Sequence, residues 1–362
     1  MIPLWVADMD FPAPPTVLET LRQRVVHGVL GYTVPAPSLY DAVLAHLENH
    51  YAWRVEPEWL VWLPGLVCGL NVACRAVGES GDGVLTTVPI YPPFLSAPTH
   101  SDRTLQRILL EEHGGRWRID PDRLAGAHTP RSRLFLLCNP HNPTGRVLDR
   151  GELEQVAEFC LRHDLVLCSD EVHCDLVLEP GLHHIPAATL SPELAARTIT
   201  LMAPSKTYNL PGLGCSFAVV SDRHLRARVR RAMDGIVPDV NLMGLAAAEA
   251  AYRDGEPWRR ELIGYLRANR DQVRSRLNTL PGLGVGVVEA TYLAWIDARG
   301  LPVADPASFF ETAGVGLSDG KDFGTPGFLR LNFGCPRALL EQALTRMGRA
   351  VAEHTDHGDQ PS

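Results

Sequence analysis

Short runs of apolar residues alternate along the middle of the chain with segments in which apolar side chains recur every three or four positions. Apolar runs without polar alternation are typical of strands that are buried on both faces. Such runs lie at 83–88, 134–138, 165–168, 198–202 and 216–220, and the helical segments lie at about 67–77 and 151–163. The alternation predicts an α/β fold in which helices cover a mostly parallel sheet.

The two ends of the chain have different patterns. Thr16, with Glu19 three residues later, predicts a capping box at the start of a helix that ends at Gly28, and a second helix is predicted at about 39–50. The apolar stripe of the first helix consists of Val17, Leu18, Leu21 and Val25. Past residue 240, the predicted elements are a long helical region at about 240–279, strands near 285–288, 292–297 and 328–332, and helices at about 306–312 and 336–353.

This change of pattern predicts two domains. A chain of 362 residues is long enough to form two hydrophobic cores. We expect a large α/β/α domain at 36–255 and a smaller α+β domain formed by 1–35 and 256–353. The polar residues 354–362 are expected to form a disordered tail.

Composition and charge exclude several function classes. The net charge of −8 gives no general attraction to nucleic acid or to anionic lipid. No apolar run approaches the roughly 20 residues that a membrane span needs, and no export signal is visible at the N-terminus. Eight scattered cysteines, several of them in strand-like runs, indicate reduced thiols and therefore a cytoplasmic protein.

The stretch Ala-Pro-Ser-Lys-Thr-Tyr-Asn-Leu-Pro-Gly at 203–212 contains an unusual residue. The chain contains only two lysines, Lys206 and Lys321, and all of its other Lys or Arg residues are arginines. Arginine can replace lysine where positive charge suffices, but it cannot lose its proton and attack a carbonyl carbon. Unless it is an ordinary surface residue, a lysine in this glycine-bounded turn indicates Schiff-base chemistry.

Three more polar side chains accompany predicted strands, and the carboxyl ends of parallel strands are where such sheets bind ligands. Asn142 follows one strand and either belongs to a plain turn or presents an amide to a ligand. Asp170 ends the next strand and is either a capping acid or the partner of a protonated ring nitrogen. Arg330, in a later strand, forms either an ordinary salt bridge or a bidentate contact with a substrate carboxylate.

A metal site is the remaining alternative for this region. His173, Cys174, His183 and His184 are possible zinc ligands, but their spacing matches no standard zinc motif. We therefore predict no metal, and we expect His183 and His184 to lie on a mobile loop.

Asn142, Asp170 and Lys206, in this order at strand ends, resemble the pyridoxal-phosphate (PLP) enzymes of fold type I. Further phrases resemble the MalY/PatB-type carbon–sulfur β-lyases, which are cystathionine β-lyases of the class I/II aminotransferase superfamily. These phrases are Trp-Val-Ala-Asp-Met-Asp-Phe at 5–11, Gly-Tyr-Thr at 31–33, Ser-Asp-Glu-Val-His at 169–173, Thr-Tyr-Leu-Ala-Trp-Ile-Asp at 291–297 and Arg-Leu-Asn-Phe-Gly-Cys-Pro-Arg at 330–337. The resemblance covers essentially the whole chain and implies a fold-type-I PLP transferase fold.

The resemblance also implies a role for each candidate residue. Lys206 binds the cofactor covalently and moves the substrate's α-proton, Asp170 keeps the pyridine nitrogen protonated, and Asn142 donates to the ring hydroxyl oxygen. The other implied contacts are ring stacking by Tyr91, a position near the ring hydroxyl oxygen for His173, phosphate binding by Gly65, Leu66 and Val67, and binding of the substrate carboxylate by Arg330. Tyr32 reaches the phosphate of the neighbouring subunit, so the active unit is expected to be a homodimer.

Three departures from the family pattern are visible. Ala203 stands where many relatives have a phosphate-binding serine, so Ser205 is the nearest hydroxyl, and Gly214 replaces an arginine of the aspartate aminotransferases. Relatives usually carry some tens of residues before the motif that begins here at Ile2. The peptide bonds Val88–Pro89 and Asn142–Pro143 are expected to be cis.

The function that the resemblance implies is PLP-dependent β-cleavage of cystathionine or another cysteine S-conjugate, an amino-acid substrate, to a thiol, pyruvate and ammonia. An aminotransferase with identical cofactor contacts is the first alternative, because the two reactions diverge only after the α-proton has left. A non-enzymatic regulator built on the same fold is the second.

Overall fold

The computed structural model describes residues 1–358, and most helices and strands have the predicted positions. The helices are α1 (Pro15–His27), α2 (Pro37–Tyr51), α3 (Leu66–Ala76), α4 (Pro92–Ser96), α5 (Pro121–Ala127), α6 (Arg150–Arg162), α7 (Pro192–Ala195), α8 (Arg223–Met233), α9 (Leu242–Asp254), α10 (Glu256–Leu277), α11 (Pro306–Thr312) and α12 (Arg337–Gly358). The strands are β1 (Ile2–Pro3), β2 (Leu60–Leu63), β3 (Gly83–Val88), β4 (Thr104–Leu109), β5 (Glu111–His113), β6 (Arg116–Arg118), β7 (Ser132–Cys138), β8 (Val166–Asp170), β9 (Thr198–Met202), β10 (Ser216–Val219), β11 (Gly284–Val285), β12 (Leu293–Asp297), β13 (Val315–Gly316), β14 (Ser318–Asp319) and β15 (Phe328–Asn332).

The central sheet contains seven strands in the order β2-β10-β9-β8-β7-β3-β4. Strand β10 is antiparallel to both of its neighbours, β9 and β2, and the other six strands therefore share one direction. Cys138 at the end of β7 pairs with Asp170 at the end of β8, and Asp170 pairs with Leu201 of β9. The predicted mostly parallel sheet is confirmed, and the ends of β7, β8 and β9 are level with one another.

Helices cover both faces of this sheet because the strands bury apolar side chains on both sides. One face packs against α3 and α8, through residues such as Leu70 and Val229. The other face packs against α5 and α6, through residues such as Leu124 and Val156. This arrangement is the expected α/β/α sandwich.

A second, antiparallel sheet has the strand order β11-β12-β15-β14 and packs with α10, α11 and α12 around a core of its own. Ile2 and Leu4 belong to the same core, and β1 pairs with β13. The first residues of the chain therefore pack with the C-terminal third. From this grouping we propose the domain boundaries that the sequence pattern predicts.

The structure differs from the sequence-based expectations at three places. Helix α1 begins at Pro15 without a side-chain cap, so the capping box predicted for Thr16 and Glu19 is wrong, since Thr16 lies inside the helix. Only Val17 of the predicted stripe is fully buried, and Leu18 and Val25 are exposed. The long helical region is two helices, α9 and α10, which meet at Gly255.

The C-terminal tail is the third place. Helix α12 continues to Gly358 and therefore includes residues 354–358 of the predicted tail. Residues 359–362 of the predicted tail lie outside the described residues. Across 1–358, no helix is both long and apolar enough to cross a membrane.

Candidate active site

The three strand-end residues singled out in the sequence meet at one cavity of about 230 Å³. Asp170 is the last residue of β8, Asn142 follows β7, and Lys206 follows β9. Their side chains converge because these adjacent parallel strands end at the same edge of the sheet. The cavity is lined by nine of the predicted site residues: Gly65, Leu66, Val67, Tyr91, Asn142, Asp170, His173, Ser205 and Lys206.

Lys206 presents its amine to this cavity. Burial lowers its pKa, the positive charge of Arg330 lowers it further, and Asp8 and Asp170 act in the opposite direction. The amine donates a hydrogen bond to the main-chain carbonyl oxygen of Ala7. A lysine with a depressed pKa is a better nucleophile near neutral pH than a surface lysine.

Asp170 is buried at the opposite wall. Burial raises the pKa of this carboxyl group to about 7, although the backbone N–H of Val172, at 3.1 Å from Oδ1, and the charge of Lys206 both oppose the shift. No other donor to this carboxylate lies within the described residues. A buried carboxylate with spare acceptor capacity is suited to pair with a cationic ring N–H.

Arg330 connects the second sheet to this cavity. Its Nη1 donates to Asn142 Oδ1 at 3.0 Å, its Nη2 donates to the carbonyl oxygen of Trp5 at 2.7 Å, and the guanidinium lies 4.8 Å from the centre of the Phe323 ring. Burial lowers the pKa of Arg330 to about 10, so it stays positively charged at neutral pH. Its Nε has no protein partner within the described residues.

His173 and Tyr91 form further parts of the lining. Burial and the charges of Lys206 and Arg330 lower the pKa of His173 to about 3, so its ring is neutral, and its Nδ1 has no partner in the described chain. Tyr91 is half-buried at the start of α4, and burial raises the pKa of its phenol. The neighbouring Val88–Pro89 bond and the Asn142–Pro143 bond are cis as predicted, and Asn139–Pro140 is a third cis bond.

The N-terminus of α3 forms another wall. Gly65 is its N-cap residue, and the N–H groups of Leu66 and Val67 lie in the first turn, where the helix supplies no acceptor. Ser205 lies beside them in the lining, with Ala203 and Gly214. Gly214 has φ of 56°, and a Cβ there would lie 2.9 Å from the carbonyl oxygen of Pro64, so the arginine of the aspartate aminotransferases does not fit this backbone.

Tyr32 lies away from the cavity and is fully exposed, whereas Arg330 is outside the lining but contacts it through Asn142. Other exposed apolar residues are close to it in sequence: Val25, Val26, Val29, Leu30 and Val34. A cluster of this kind is typical of a surface that another protein covers.

The adjacent histidines His183 and His184, two of the possible zinc ligands, differ in burial in the structure. His184 is buried and lies 2.8 Å from Glu171, so the expectation that it is on a mobile loop is wrong, whereas His183 is exposed. Within residues 1–358, no group of three or more His, Cys, Asp or Glu side chains is arranged to hold a metal ion.

The structure also brings residues to the site that had no predicted role. Ala7 lines the cavity, and its carbonyl oxygen accepts from the hydroxyl of buried Tyr292 at 3.0 Å as well as from Lys206. Both residues belong to phrases of the family resemblance, which is the one sequence signal that could have marked them. Periodicity could not, because each reads as an ordinary core position.

Comparisons with known proteins agree with this geometry. A family model described as aminotransferase class I and II matches residues 1–347. Cystathionine beta-lyase PatB of Bacillus subtilis is 38% identical over 359 residues, which cover 97% of this chain and 92% of PatB.

Two solved structures are similar over a comparable length. The crystal structure of OvoB is 50% identical, with a TM-score of 0.95, and the match covers 96% of this chain and 92% of OvoB. Cystalysin from Treponema denticola, whose structure contains pyridoxal 5′-phosphate, is 31% identical, with a TM-score of 0.94 and coverage of 98% and 91%. This chain therefore belongs to the aminotransferase class I and II family, together with the PatB-type cystathionine β-lyases.

Proposed function

We propose that this protein is a PLP-dependent carbon–sulfur β-lyase that cleaves cystathionine or another cysteine S-conjugate to a thiol, pyruvate and ammonia. The observation that carries the proposal is that a half-buried lysine amine with a lowered pKa and a buried carboxylate line the same cavity. The relatives with the same fold include a cystathionine β-lyase and a structure that contains the cofactor.

The residues present fit this cofactor. Lys206 supplies the amine for covalent attachment, and Asp170 supplies the carboxylate for the pyridine N–H. The first-turn N–H groups of Leu66 and Val67, with the hydroxyl of Ser205, are suited to a phosphate, because an anion is stabilised at a helix N-terminus. The orphaned Nδ1 of His173 is a buried polar atom that a bound ligand would satisfy.

When bound, the cofactor supplies an electron sink for the bonding electrons of the substrate's Cα–H bond. The amine of Lys206 would be the base that removes the α-proton, a step that contributes about 10² to 10⁴-fold to the rate. Asp170 would hold the proton on the ring nitrogen, and Asn142, His173 and Tyr91 would contact the ring.

Arg330 binds the α-carboxylate of the substrate. Its guanidinium is already oriented by Asn142 and by the Trp5 carbonyl, so little rotational freedom is lost on binding. This contact orients the substrate so that its Cα–H bond faces Lys206. After the α-proton has been removed, the carbon–sulfur bond breaks and the β-thiolate leaves.

The active unit of the proposal is a homodimer. The exposed apolar cluster around Tyr32 is suited to burial against a second copy, and from there Tyr32 donates to the phosphate in the partner's site. We also propose a cytoplasmic location, which the cysteines support, since all eight are free and seven of them are buried.

The decisive experiment separates the lyase from the aminotransferase alternative. Purified protein with PLP and cystathionine is expected to release free thiol and pyruvate without a keto-acid acceptor. Transfer of the amino group to an added keto acid, without release of thiol, would instead identify an aminotransferase. If a PLP-loaded sample forms neither product, the result would favour the alternative of a non-enzymatic regulator built on the same fold.

A further inference from the structure

Two segments meet at the reactive lysine through one carbonyl oxygen that the proposed reaction does not use. The first is the strap, residues 4–11, of which Ala7 lines the cavity, and the second is the loop at 291–292 that leads into β12. They meet at the carbonyl oxygen of Ala7, which accepts from both Lys206 Nζ and Tyr292 Oη.

The strap is held along its whole length by side chains of the site's own elements. Asn332 Nδ2 donates to the carbonyl oxygens of Val6 and Asp8, and Asn209 Nδ2 donates to those of Met9 and Phe11 at 2.7 and 2.8 Å. Residues 6–8 form a bend in which the carbonyls of Val6 and Asp8 accept from Asn332 and the Ala7 carbonyl between them accepts from Lys206.

The position of Tyr292 is fixed by an unusual backbone. Thr291, the residue before it, has φ of 71°, a conformation that is rare for a β-branched residue. Two hydrogen bonds hold it there: its N–H donates to the Leu176 carbonyl at 2.9 Å, and its Oγ1 accepts from the Leu293 N–H at 3.1 Å. This backbone conformation directs the phenol of Tyr292, which is 1% exposed, towards the Ala7 oxygen. The Tyr292 ring also packs edge-on against the ring of His173.

A carbonyl oxygen has two lone pairs, so it can accept from the phenol and from the amine together. It favours the charged amine, because a hydrogen bond from an ammonium group is about twice as strong as one from a neutral donor. The acceptor thus opposes burial and Arg330, which both disfavour positive charge on Lys206.

We propose that Tyr292 is a positioning residue whose hydroxyl fixes the Ala7 carbonyl as the acceptor of the free, protonated Lys206 amine. This inference deepens the proposed function, on which it rests, because Lys206 must be free and protonated after it has taken the α-proton. Protonation of the lysine then stabilises the closed strap over the site while the leaving group departs.

The test measures the protonation of Lys206 in the full-length, cofactor-free protein. Because the chain has only two lysines, trace labelling with acetic anhydride across a pH series reports Lys206 and the exposed Lys321 as two separate peptides in one sample. Tyr292→Phe is expected to lower the pH midpoint of Lys206 labelling by about one pH unit, since part of a charge-assisted hydrogen bond is lost. The labelling midpoint of Lys321 should stay unchanged.

Two further variants separate positioning from a merely structural role. Tyr265→Phe removes a hydroxyl that bonds to the Arg337 N–H away from the cavity, and it should leave the Lys206 midpoint unchanged. Asn332→Ala removes the donor to the carbonyls on either side of Ala7, so it should lower the Lys206 midpoint in the same direction as Tyr292→Phe. An unchanged or raised midpoint in Tyr292→Phe would overturn the proposal.

A measurement on the unaltered sequence covers the case in which Tyr292→Phe does not fold. Amide exchange of the peptide that spans the strap, corrected for its intrinsic pH dependence, should accelerate as Lys206 loses its proton, and this acceleration should vanish in Lys206→Ala. If the amide exchange rate of the strap does not change at the pH where Lys206 loses its proton, the inference is refuted. Failure of the proposed function is distinguishable, since it would appear as absence of PLP binding with the labelling result intact.

Discussion

Arg330 Nη1 donates to Asn142 Oδ1 at 3.0 Å, and this contact joins the second sheet to the edge of the first. Asn142 lies in a loop with two prolines, each of which follows a cis peptide bond, while Arg330 lies in the middle of β15. If these residues bind the cofactor ring and the substrate carboxylate as proposed, the two ligands are positioned by groups that contact each other, and a shift of one displaces the other.

The first prediction concerns Arg330. Arg330→Lys keeps the charge but loses the planar fork, so KM for an amino-acid substrate is expected to rise by about 10 to 100-fold, with a smaller change in kcat. Steady-state kinetics measures this effect. Arg337→Lys, which alters a guanidinium stacked on Tyr265, is the matched control and should change KM little. Equal effects of the two variants would contradict the assignment of Arg330.

The second prediction concerns pH and Asp170. Burial raises the pKa of this carboxyl from its usual 3.8 to about 7 in the folded, cofactor-free protein, so the folded state binds the proton more tightly than the unfolded state does. The contribution of Asp170 to the free energy of unfolding should therefore fall as pH rises from about 4 to 7, by at most about 4 kcal/mol.

Asp170→Asn lacks this titration and serves as the reference. Its stability advantage over the unaltered protein, measured by urea unfolding without PLP, should grow between pH 4 and 7 and stay constant above. An advantage that is independent of pH would show that the carboxyl group is not held protonated by burial.

The third prediction concerns Tyr32. If it acts in the partner's site, Tyr32→Ala and Lys206→Ala homodimers should both be inactive. After subunit exchange, half of the dimers are mixed, and each mixed dimer contains one intact site, so about a quarter of the sites should work. Recovery of lyase activity on mixing measures this, and no recovery despite proven exchange would show that Tyr32 does not act in the partner's site.

The fourth prediction concerns Glu289, which clamps the loop that contains Asn142. Its buried carboxylate accepts from Arg146 Nε at 3.0 Å, from the Val147 N–H at 2.9 Å and from Arg116 at 2.6 Å. Glu289→Gln leaves the buried Arg146 with Glu152, at 2.7 Å, as its one remaining charge partner among the described residues, and should lower the free energy of unfolding by about 1 to 3 kcal/mol. The exposed Glu341→Gln should change it by less than about 0.5 kcal/mol in the same denaturant titration.

Most of the central sheet could be predicted from the sequence because its strands are buried on both faces and read as unbroken apolar runs. Strand β4 was missed because it is an edge strand with exposed polar residues such as Thr104 and Arg107. The short strand β2 was missed because its four residues lie between Trp59 and a proline turn, with too few positions for a pattern. The capping box failed because Pro15 can start a helix without a side-chain cap.

The site was predictable where one residue type has to do the chemistry. Lys206 is marked by the scarcity of lysine, and Asp170 and Asn142 by their places at strand ends. Ala7 could not be found in this way, since it acts through a backbone carbonyl that any residue supplies. Tyr292 and Glu289 act through partners that are more than 140 positions away in the chain, and such contacts leave no local pattern.

The central claim is that the Lys206 amine bonds covalently to PLP. Borohydride reduction of the PLP-loaded protein, followed by digestion and mass spectrometry, tests it most directly, with Lys321 as the reference in the same digest. We predict a mass gain of one reduced cofactor on the peptide that contains Lys206, none on the Lys321 peptide, and none after Lys206→Ala. An unmodified Lys206 peptide from protein that has been saturated with PLP would contradict the account.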